Sequence, residues 1–360
     1  MSVKRKITWI SLVILVIFIK IFSRYPAAVE KFYARGFYLP VSRLQRILFG
    51  WIPFSLGDLF YGFIMVWLLY KLVSVIRRLI SGQAGKDWLL SLLRRVVFAC
   101  LWIYVLFNLL WGLNYDRQGI ATQLQLDVKP YSTAELTTLL GRIVSRLNEL
   151  DSLSHLNRPR LAAPSALYSG AIRSYDSLAA RDSRFAYQDH SVKSSLFSRP
   201  GAWIGFAGYY NPFSGEAQVN TALPLFSQPF TACHEMGHQL GYAKENEANF
   251  AGYLAATVSP DPAFRYSVYC DLYLFAAREL VLRDTSLVKG FRDALRPGIR
   301  ADFREMQRFN RDHANPLEPV IWKLYGKYLR ANRQPKGIVT YSEVTAWLIA
   351  YAKKNGWEKI

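Results

Sequence analysis

Three long apolar stretches in the first third of the chain constrain its fold more than any other feature of the sequence. They cover residues 7–23, about 52–75 and about 96–114. Each approaches the roughly 20 residues that a helix needs to cross the hydrocarbon core of a bilayer. Because apolar surface of that extent is stable in lipid and not in water, the sequence predicts three transmembrane helices.

The distribution of basic residues indicates how these helices lie in the membrane. The formal net charge is +19, and residues 1–115 contain 15 Lys and Arg but only 3 acidic residues. The basic residues flank the apolar stretches, as they commonly do at membrane surfaces. The cluster Lys4–Lys6, counted with the basic loop after the second stretch, favours a cytoplasmic N-terminus. Three spans then place the remainder at the periplasmic or extracellular face of the cytoplasmic (inner) membrane.

Two other interpretations of these features have less support. A cleaved signal peptide would also combine basic residues with an apolar run, here followed by "YPAA" at 25–28, but two further apolar stretches come next. A strongly basic chain could bind nucleic acid, yet the sequence has neither zinc-finger spacing nor an aromatic–glycine RNA-binding motif. The sequence therefore predicts the lipid bilayer, and not DNA or RNA, as the partner of the basic segment.

The composition becomes a mixture of polar and apolar residues after Tyr115. We therefore predict a transmembrane region over residues 1–115 and a globular domain over residues 116–360. The Gly-, Pro- and aromatic-rich stretch 196–224 predicts one or two short strands with tight turns. Because helical periodicity dominates elsewhere, the fold class is predicted to be α-rich α+β with a small sheet.

Two kinds of signal locate the helices of this domain. Ser132 and Glu135 have the spacing of a capping box, which predicts the start of a helix near 132–150. Apolar periodicity predicts the later helices. They cover 228–240, 245–257, 262–283, 299–314, 317–331 and 341–354.

The stretch "TACHEMGHQLGYAKENEANFAGY", residues 231–253, carries the residues that predict chemistry. His234 and His238 are four residues apart, so on a helix their imidazoles share one face and can bind one zinc ion. Glu235 is one position from His234, where its carboxylate can take a proton from a zinc-activated water as a general base. In a chain with five histidines, a chance H-E-x-x-H is roughly a few-in-a-thousand event. The pattern therefore predicts a catalytic zinc site.

The flanking residues predict the ends and the surroundings of this helix. Ser227 can cap its start, with Pro229 in the first turn, and Gly241 can end it in a left-handed conformation. Gly237 lowers helix propensity by about 1 kcal/mol relative to alanine. Its presence therefore indicates that another backbone approaches the helix closely at this position.

A catalytic zinc normally has a third protein ligand and leaves one position for water. Gly241 and Tyr242, three and four residues after the second histidine, are not expected to be ligands. Lys244 occupies the position at which metalloproteases with a short linker have a third histidine. The third ligand should therefore be a glutamate of the next helix, either Glu245 or Glu247.

The motif HExxH followed by Glu-x-Glu-Ala-Asn resembles the glutamate-zincin metallopeptidases, notably their membrane-bound prenyl-protease and mitochondrial quality-control branches. In those proteins the first glutamate of a Glu-x-x-Ala-Asp helix binds zinc and the aspartate supports a histidine. The resemblance implies Glu245 as the third ligand, Ala248 as the small residue and Asn249 as the partner of a histidine ring. This chain departs from the pattern because Asn249 replaces an aspartate and the interval from His238 to Glu245 is shorter. Glu247 therefore stays an alternative ligand.

A second resemblance covers nearly the whole chain. It rests on the three apolar stretches and on the segments "WGLNYDRQGI", "GYYNPFSGEAQVN", "HEMGHQLGYAKENEANF" and "YLRANRQPKGI". Together these are similar to an uncharacterised family of bacterial membrane proteins, common in Bacteroidetes and named only as a domain of unknown function. The resemblance implies a three-span, metallopeptidase-like protein without a known substrate.

The first functional hypothesis is a membrane-anchored zinc metallopeptidase that cleaves a peptide or protein substrate. Residues 215–224 would form the sheet-edge strand along the cleft, to which an extended peptide can add. A zinc-binding membrane scaffold without turnover is a second hypothesis, against which the intact Glu235 argues. A metal-dependent amidase acting on cell-wall material is a third. Some residues could stabilise the oxyanion by residue type alone, although packing or surface roles are commoner for such residues. They are Tyr209, Tyr210, Tyr325, Tyr328 and His313.

Overall fold

The computed structural model describes residues 3–332, 334 and 343–360, and these residues form mainly α-helices around a small sheet. The N-terminal helices are α1 (Val3–Phe22), α2 (Pro26–Phe49), α3 (Leu56–Ile80) and α4 (Lys86–Leu110). Within the described part of the chain, α3 and α4 are each long and apolar enough to cross a membrane. The pair α1 and α2 adds a third span only if the two are counted as one, although they are bent by 103° where they meet. The prediction is thus confirmed for the second and third spans, while the first is a bent pair.

Helix α2 lies against the globular part of the chain. The Tyr38 hydroxyl is buried and donates a hydrogen bond to the carbonyl of Gln239 at 2.9 Å. About two turns further along α2, the side chain of Gln45 donates to the carbonyl of Pro212 at 2.9 Å. The side chain of Arg46 donates to the carbonyl of Asp189, also at 2.9 Å. Residues between the first and second apolar stretches therefore contribute contacts to the part of the molecule that holds the HExxH motif.

The sheet has three short strands. They are β1 (Val192–Ser194), β2 (Gly208–Asn211) and β3 (Glu216–Val219). Their order is β1-β3-β2, with β1 parallel and β2 antiparallel to β3. The prediction that 215–224 forms the edge strand is therefore wrong, because β3 is paired on both sides. Strand β2 is the edge that runs beside the site.

The helices that follow, all but Glu318–Ala331, contribute to the largest buried core. They are α5 (Thr133–Asn157), α6 (Pro164–Ala179), α7 (Gln228–Gln239), α8 (Glu245–Thr257), α9 (Pro262–Arg283), α10 (Thr285–Asp293), α11 (Pro297–His313), α12 (Glu318–Ala331) and α13 (Glu343–Asn355). The predicted helices are confirmed with ends shifted by a few residues, whereas α6 and α10 were not predicted. The predicted start of the last helix, 341–342, lies outside the described residues. At the start of α5, Ser132 and Glu135 form the predicted capping box.

The sheet also anchors α3, one of the two candidate membrane spans. The Glu216 carboxylate in β3 accepts hydrogen bonds from the backbone N–H groups of Leu56 at 3.1 Å and Gly57 at 2.6 Å. It also forms a fully buried ion pair with Lys193 of β1 at 2.6 Å. A carboxylate at this position satisfies N–H groups that have no partner within the helix and complements the helix dipole. This contact fixes the start of α3 next to the sheet, and with it the position of Tyr61 on the second turn.

Candidate metal centre

Helix α7 carries the HExxH motif and ends as the sequence predicts. Gly241, just beyond the helix, has a φ of +81°, a conformation that a side chain would strain. The start differs from the prediction, because the Ser227 hydroxyl donates to the carbonyl of Pro224 and does not cap the helix. Pro229 lies in the first turn, where its missing N–H costs no hydrogen bond.

One glycine in each of the helices α7 and α8 allows these helices to approach each other closely. A Cβ atom added at Gly237 would lie 3.1 Å from the carbonyl oxygen of Ala248. A Cβ atom added at Gly252 would lie 3.0 Å from the backbone nitrogen of His234. Both distances are tighter than ordinary van der Waals contact, so the expected close approach of a second backbone at Gly237 is confirmed. The consequence is that side chains of α8 reach the histidines of α7.

Both histidines are oriented by hydrogen bonds at Nδ1. His238 Nδ1 lies 2.7 Å from the carbonyl oxygen of Tyr242, and His234 Nδ1 lies 2.9 Å from Oδ1 of Asn249. Because both partners are acceptor oxygens, each Nδ1 carries a proton and each Nε2 is directed to the site. The structure therefore places Asn249 where the glutamate-zincin resemblance implies a partner for a histidine ring.

The acidic residues of the motif occupy different positions. Potential ligand atoms of His234, Glu235 and His238 all lie within 4.8 Å of one another. Glu245 is adjacent to this group, because its Oε2 atom is 3.3 Å from Nε2 of His234. Glu247 is directed elsewhere, 3.3 Å from the Lys244 ammonium group. Of the two glutamates that the sequence left open, only Glu245 lines the cavity around the histidines.

The charges of the site depend on one another. Burial alone would lower the pKa of His234, but the hydrogen bond to Glu245 and the charges of Glu235 and Glu245 raise it above its usual value. Burial would raise the pKa of Glu245, yet the hydrogen bond from His234 and the charges of both histidines hold it below its usual range. Burial, with the charge of His234, lowers the pKa of His238 to about 4. Burial raises the pKa of Glu235 to about 8 against the charge of His234. His234 and Glu245 therefore form a buried ion pair.

The site opens into a cavity of about 860 Å³. Its polar lining includes His234, Glu235, His238 and Glu245, whereas aromatic and apolar side chains form most of the rest. These come from the sheet and its flanking loops, from α3, α4, α7, α9 and α12, and from Trp111 and Tyr115 after α4. The volume is within the range of ligand-binding pockets, roughly 300–1,000 Å³.

Strand β2 passes directly over the candidate base. A Cβ atom added at Gly208 would lie 2.7 Å from Oε1 of Glu235 and 2.6 Å from the carbonyl oxygen of Gln218. Only glycine leaves room for the carboxylate at this position. The edge of the sheet and Glu235 are therefore in direct contact, an arrangement that the sequence analysis assigned to the wrong strand.

The candidates for oxyanion stabilisation separate into distinct environments. The Tyr325 hydroxyl donates to Oε1 of Glu245 at 2.6 Å, and the Tyr328 hydroxyl lies 3.3 Å from that of Tyr115. Tyr209 and Tyr210 also line the cavity, whereas His313 packs against Trp203 and Phe309, away from it. The structure thus brings all four tyrosines to the cavity and leaves the histidine outside.

Two groups of residues near the site were missed by the sequence analysis. Asp271 of α9 lines the cavity, and burial raises its pKa to about 7. A carboxylate within the aromatic segment "YCDLYLF" is the signal that could have identified it. The C-terminal end of α7 is held by Tyr38 and Trp111, and by Arg117, which donates to the carbonyls of Leu240 and Gly241. No local pattern indicates these contacts, because they join residues more than a hundred positions apart.

The side chains present are compatible with a zinc ion. Two histidine Nε2 atoms with fixed ring orientation and one carboxylate form the His₂Glu donor set of many hydrolytic zinc sites. In addition, Oε2 of Glu235 is buried and has no hydrogen-bond partner in the described part of the chain. A buried carboxylate oxygen without a partner is costly unless a ligand satisfies it. The residues therefore fit a metal with a water molecule next to Glu235.

Comparison with known proteins relates the chain to one family. A family model described as "Protein of unknown function (DUF3810)" matches residues 33–349. No curated protein and no solved structure shows significant similarity. The match extends from α2 to α13 and includes all of the site residues, but it carries no assigned chemistry.

Proposed function

The chain belongs to the DUF3810 family, whose function is unknown, and from its own residues we propose that it is a membrane-anchored, zinc-dependent metallopeptidase of the glutamate-zincin type. The observation that carries the proposal is the convergence of His234, Glu235 and His238 within 4.8 Å, at the wall of a large cavity. The carboxylate of Glu245 next to His234 supports the same reading.

Each residue has a defined task in this proposal. The Nε2 atoms of His234 and His238 and the carboxylate of Glu245 would hold the zinc ion. Zinc supplies a Lewis acid that makes water acidic near neutral pH and polarises a carbonyl group. Glu235 accepts the proton of the attacking water at Oε2 and delivers it to the leaving amine nitrogen. Asn249 keeps the ring of His234 in the orientation that this requires.

Strand β2 is proposed to hold the substrate. It is the edge strand on the cavity side, and no other strand among the described residues pairs with its outer edge. An extended peptide can add to such an edge through main-chain hydrogen bonds. Because Gly208 lies against Glu235, a peptide on this edge would pass the base at close range. We infer a zincin-like arrangement from this combination of edge strand, HExxH helix and glutamate helix.

Two observations favour this proposal over its alternatives. A zinc scaffold without turnover has no use for a carboxylate beside the metal position, whereas Glu235 lies there with an Oε2 atom that is buried and has no partner among the described residues. An amidase acting on polar cell-wall material would be expected to line its cavity with hydrogen-bonding groups, whereas this lining is mainly aromatic and apolar. The proposal also places the cavity at the outer face of the cytoplasmic membrane, following the distribution of basic residues.

The substitution Glu235→Gln tests the proposal. The full-length protein is purified in detergent, its zinc content is measured by mass spectrometry, and cleavage of a library of unfolded peptides is followed. We expect about one zinc per chain in both proteins and a loss of cleavage of at least roughly 10²-fold in the variant. Glu305→Gln, an exposed glutamate on α11 that is not among the cavity residues, is the matched control and should cleave as the wild type does.

Two outcomes would contradict the proposal. Unchanged cleavage in Glu235→Gln with zinc retained would show that this carboxylate is not the base. Bound zinc without cleavage of any peptide by the wild-type protein would favour the scaffold.

A further inference from the structure

The cavity wall indicates what kind of substrate the site accepts. Apart from the site residues and the hydroxyl groups of the lining tyrosines, the polar side chains in this wall are few and include Thr231 and Asp271. Most of the others are apolar or aromatic, and many of these are large. They include Phe107, Trp111, Phe206, Phe230, Phe275 and Ile321. Away from the metal site and the edge of β2, a polar group would lose its water for few hydrogen-bond partners, whereas an apolar group would lose nothing.

The cavity lies where the membrane helices meet the globular part. Tyr61 belongs to the second turn of α3, and Phe107 belongs to the last turn of α4. Both helices are candidate membrane spans, and none of the apolar window of α3 is buried. Helix α3 therefore does not pack against α4 along its length, and the cavity is bordered by two candidate spans whose apolar surfaces are largely exposed.

Helix α12 forms another border of the cavity. Ile321 and Trp322 on one side line the cavity, while Val320 and Leu324 on another side are 55% and 58% exposed. Basic side chains on the same helix are also exposed. They are Lys323, Lys327 and Arg330. A helix with an exposed apolar face and a basic face is typical of the membrane interface. Helix α12 is thus suited to lie at the bilayer surface, beside the start of α3 and the end of α4.

We propose that the cavity accepts a peptide joined to a long apolar group, and that this group moves into the cavity laterally from the bilayer, past α3 and α12. The inference rests on the proposed function, because the same site would cleave the attached peptide. An apolar group leaving lipid gains little hydrophobic free energy in an apolar cavity. The cavity would therefore distinguish substrates by whether they carry an apolar group that fits into it. The edge strand β2 and the metal site would act on the peptide next to that group.

The apolar group can come from two sources that share this chemistry, a covalently attached acyl chain or an apolar transmembrane segment. Three synthetic probes distinguish them. One peptide carries a long acyl chain with a photoactivatable diazirine, a second ends in an apolar helical segment with the same group, and a third carries the diazirine alone. Each is added to the zinc-loaded Glu235→Gln protein in lipid nanodiscs, and crosslinked residues are identified by mass spectrometry.

We expect an apolar probe to label cavity residues such as Phe230 and Trp322 at least tenfold more than the plain peptide does. The probe that labels them identifies the source. Ile321→Trp, which fills the cavity, should reduce this labelling at least tenfold, and Leu324→Trp, on the outer face of the same helix, should not. Ile204→Trp fills the cavity from another wall and provides a second test if Ile321→Trp loses its zinc.

The outcomes separate this inference from the proposed function. Labelling confined to the lipid-facing surfaces of α3 and α4, or cavity labelling unchanged in both filled variants, would overturn the inference. Equal cleavage of plain and apolar peptides by the wild-type protein would overturn it while leaving the peptidase intact. Cavity labelling by an apolar probe that the wild-type protein does not cleave would support the inference and contradict the peptidase.

Discussion

Replacing Arg117 with methionine should weaken both the fold and the metal site. The guanidinium group is buried, and its Nε and Nη2 atoms donate to the Glu30 carboxylate at 2.8 and 2.9 Å. Its Nη1 atom donates to the carbonyl oxygens of Leu240 and Gly241, each at 3.2 Å. These carbonyls lie two and three residues after His238, so Arg117 ties helix α2 to the end of the helix that carries the site.

The loss of stability expected for Arg117→Met follows from the unpaired carboxylate of Glu30 that remains buried. Methionine fills similar space but cannot pair with Glu30, whose side chain is only 7% exposed. Removing one partner of a buried ion pair typically costs about 3–5 kcal/mol. Arg35 still pairs with Glu30 at 2.7 Å, so we expect the lower end of that range. At roughly 2 °C per kcal/mol for a chain of this size, the midpoint of thermal unfolding should fall by about 6 °C.

The assay is thermal unfolding of the detergent-solubilised protein, followed by tryptophan fluorescence, together with zinc affinity measured by chelator competition. Arg308→Met removes an exposed arginine and is the matched control. Adding Glu30→Gln to Arg117→Met should recover part of the lost stability, since no unpaired charge is then buried. The reasoning would be refuted if Arg117→Met behaved like the control, or if the double variant were as unstable as the sum of the single ones.

Three further predictions concern the metal site. Glu245→Gln should lower zinc affinity by roughly a hundredfold or more, while Glu247→Gln should leave it unchanged; equal losses measured by chelator competition would contradict the ligand assignment. Gly237→Ala should destabilise the protein by about 1–2 kcal/mol, because crowding against α8 outweighs the gain of about 1 kcal/mol in helix propensity. Gly290→Ala, where a Cβ atom meets nothing within 4 Å, should instead be neutral or stabilising in the same thermal unfolding assay. Because the pKa of Glu235 is raised to about 8, zinc added to stripped protein at pH 7 should displace its proton. As the pH falls below 8, the zinc affinity of the wild type should therefore decrease about tenfold more per pH unit than the zinc affinity of Glu235→Gln. Equal pH dependence of the two affinities would argue against this.

Local sequence patterns were sufficient for the elements that carry the site. The four-residue spacing of His234 and His238 depends only on the helical repeat, and α7 and α8 form where periodicity predicts them. Gly237 signalled the close approach of a neighbouring helix because a glycine inside a helix is unfavourable without such a reason. The same signals could not choose between Glu245 and Glu247, since the direction of α8 relative to α7 determines which carboxylate faces the histidines.

The sequence by itself predicted the apolar helices α3 and α4, the helical character of the remainder and the residues able to bind a metal, because hydropathy and helical repeat act over a few turns. Only the tertiary structure decided which strand borders the site, since β3 becomes central through its pairing with the three-residue strand β1. It also decided that Tyr38 and Arg117 hold the end of α7, and that α3, α4 and α12 enclose the cavity. Those contacts join distant parts of the chain and arise from packing and buried hydrogen bonds, which no local window of sequence specifies.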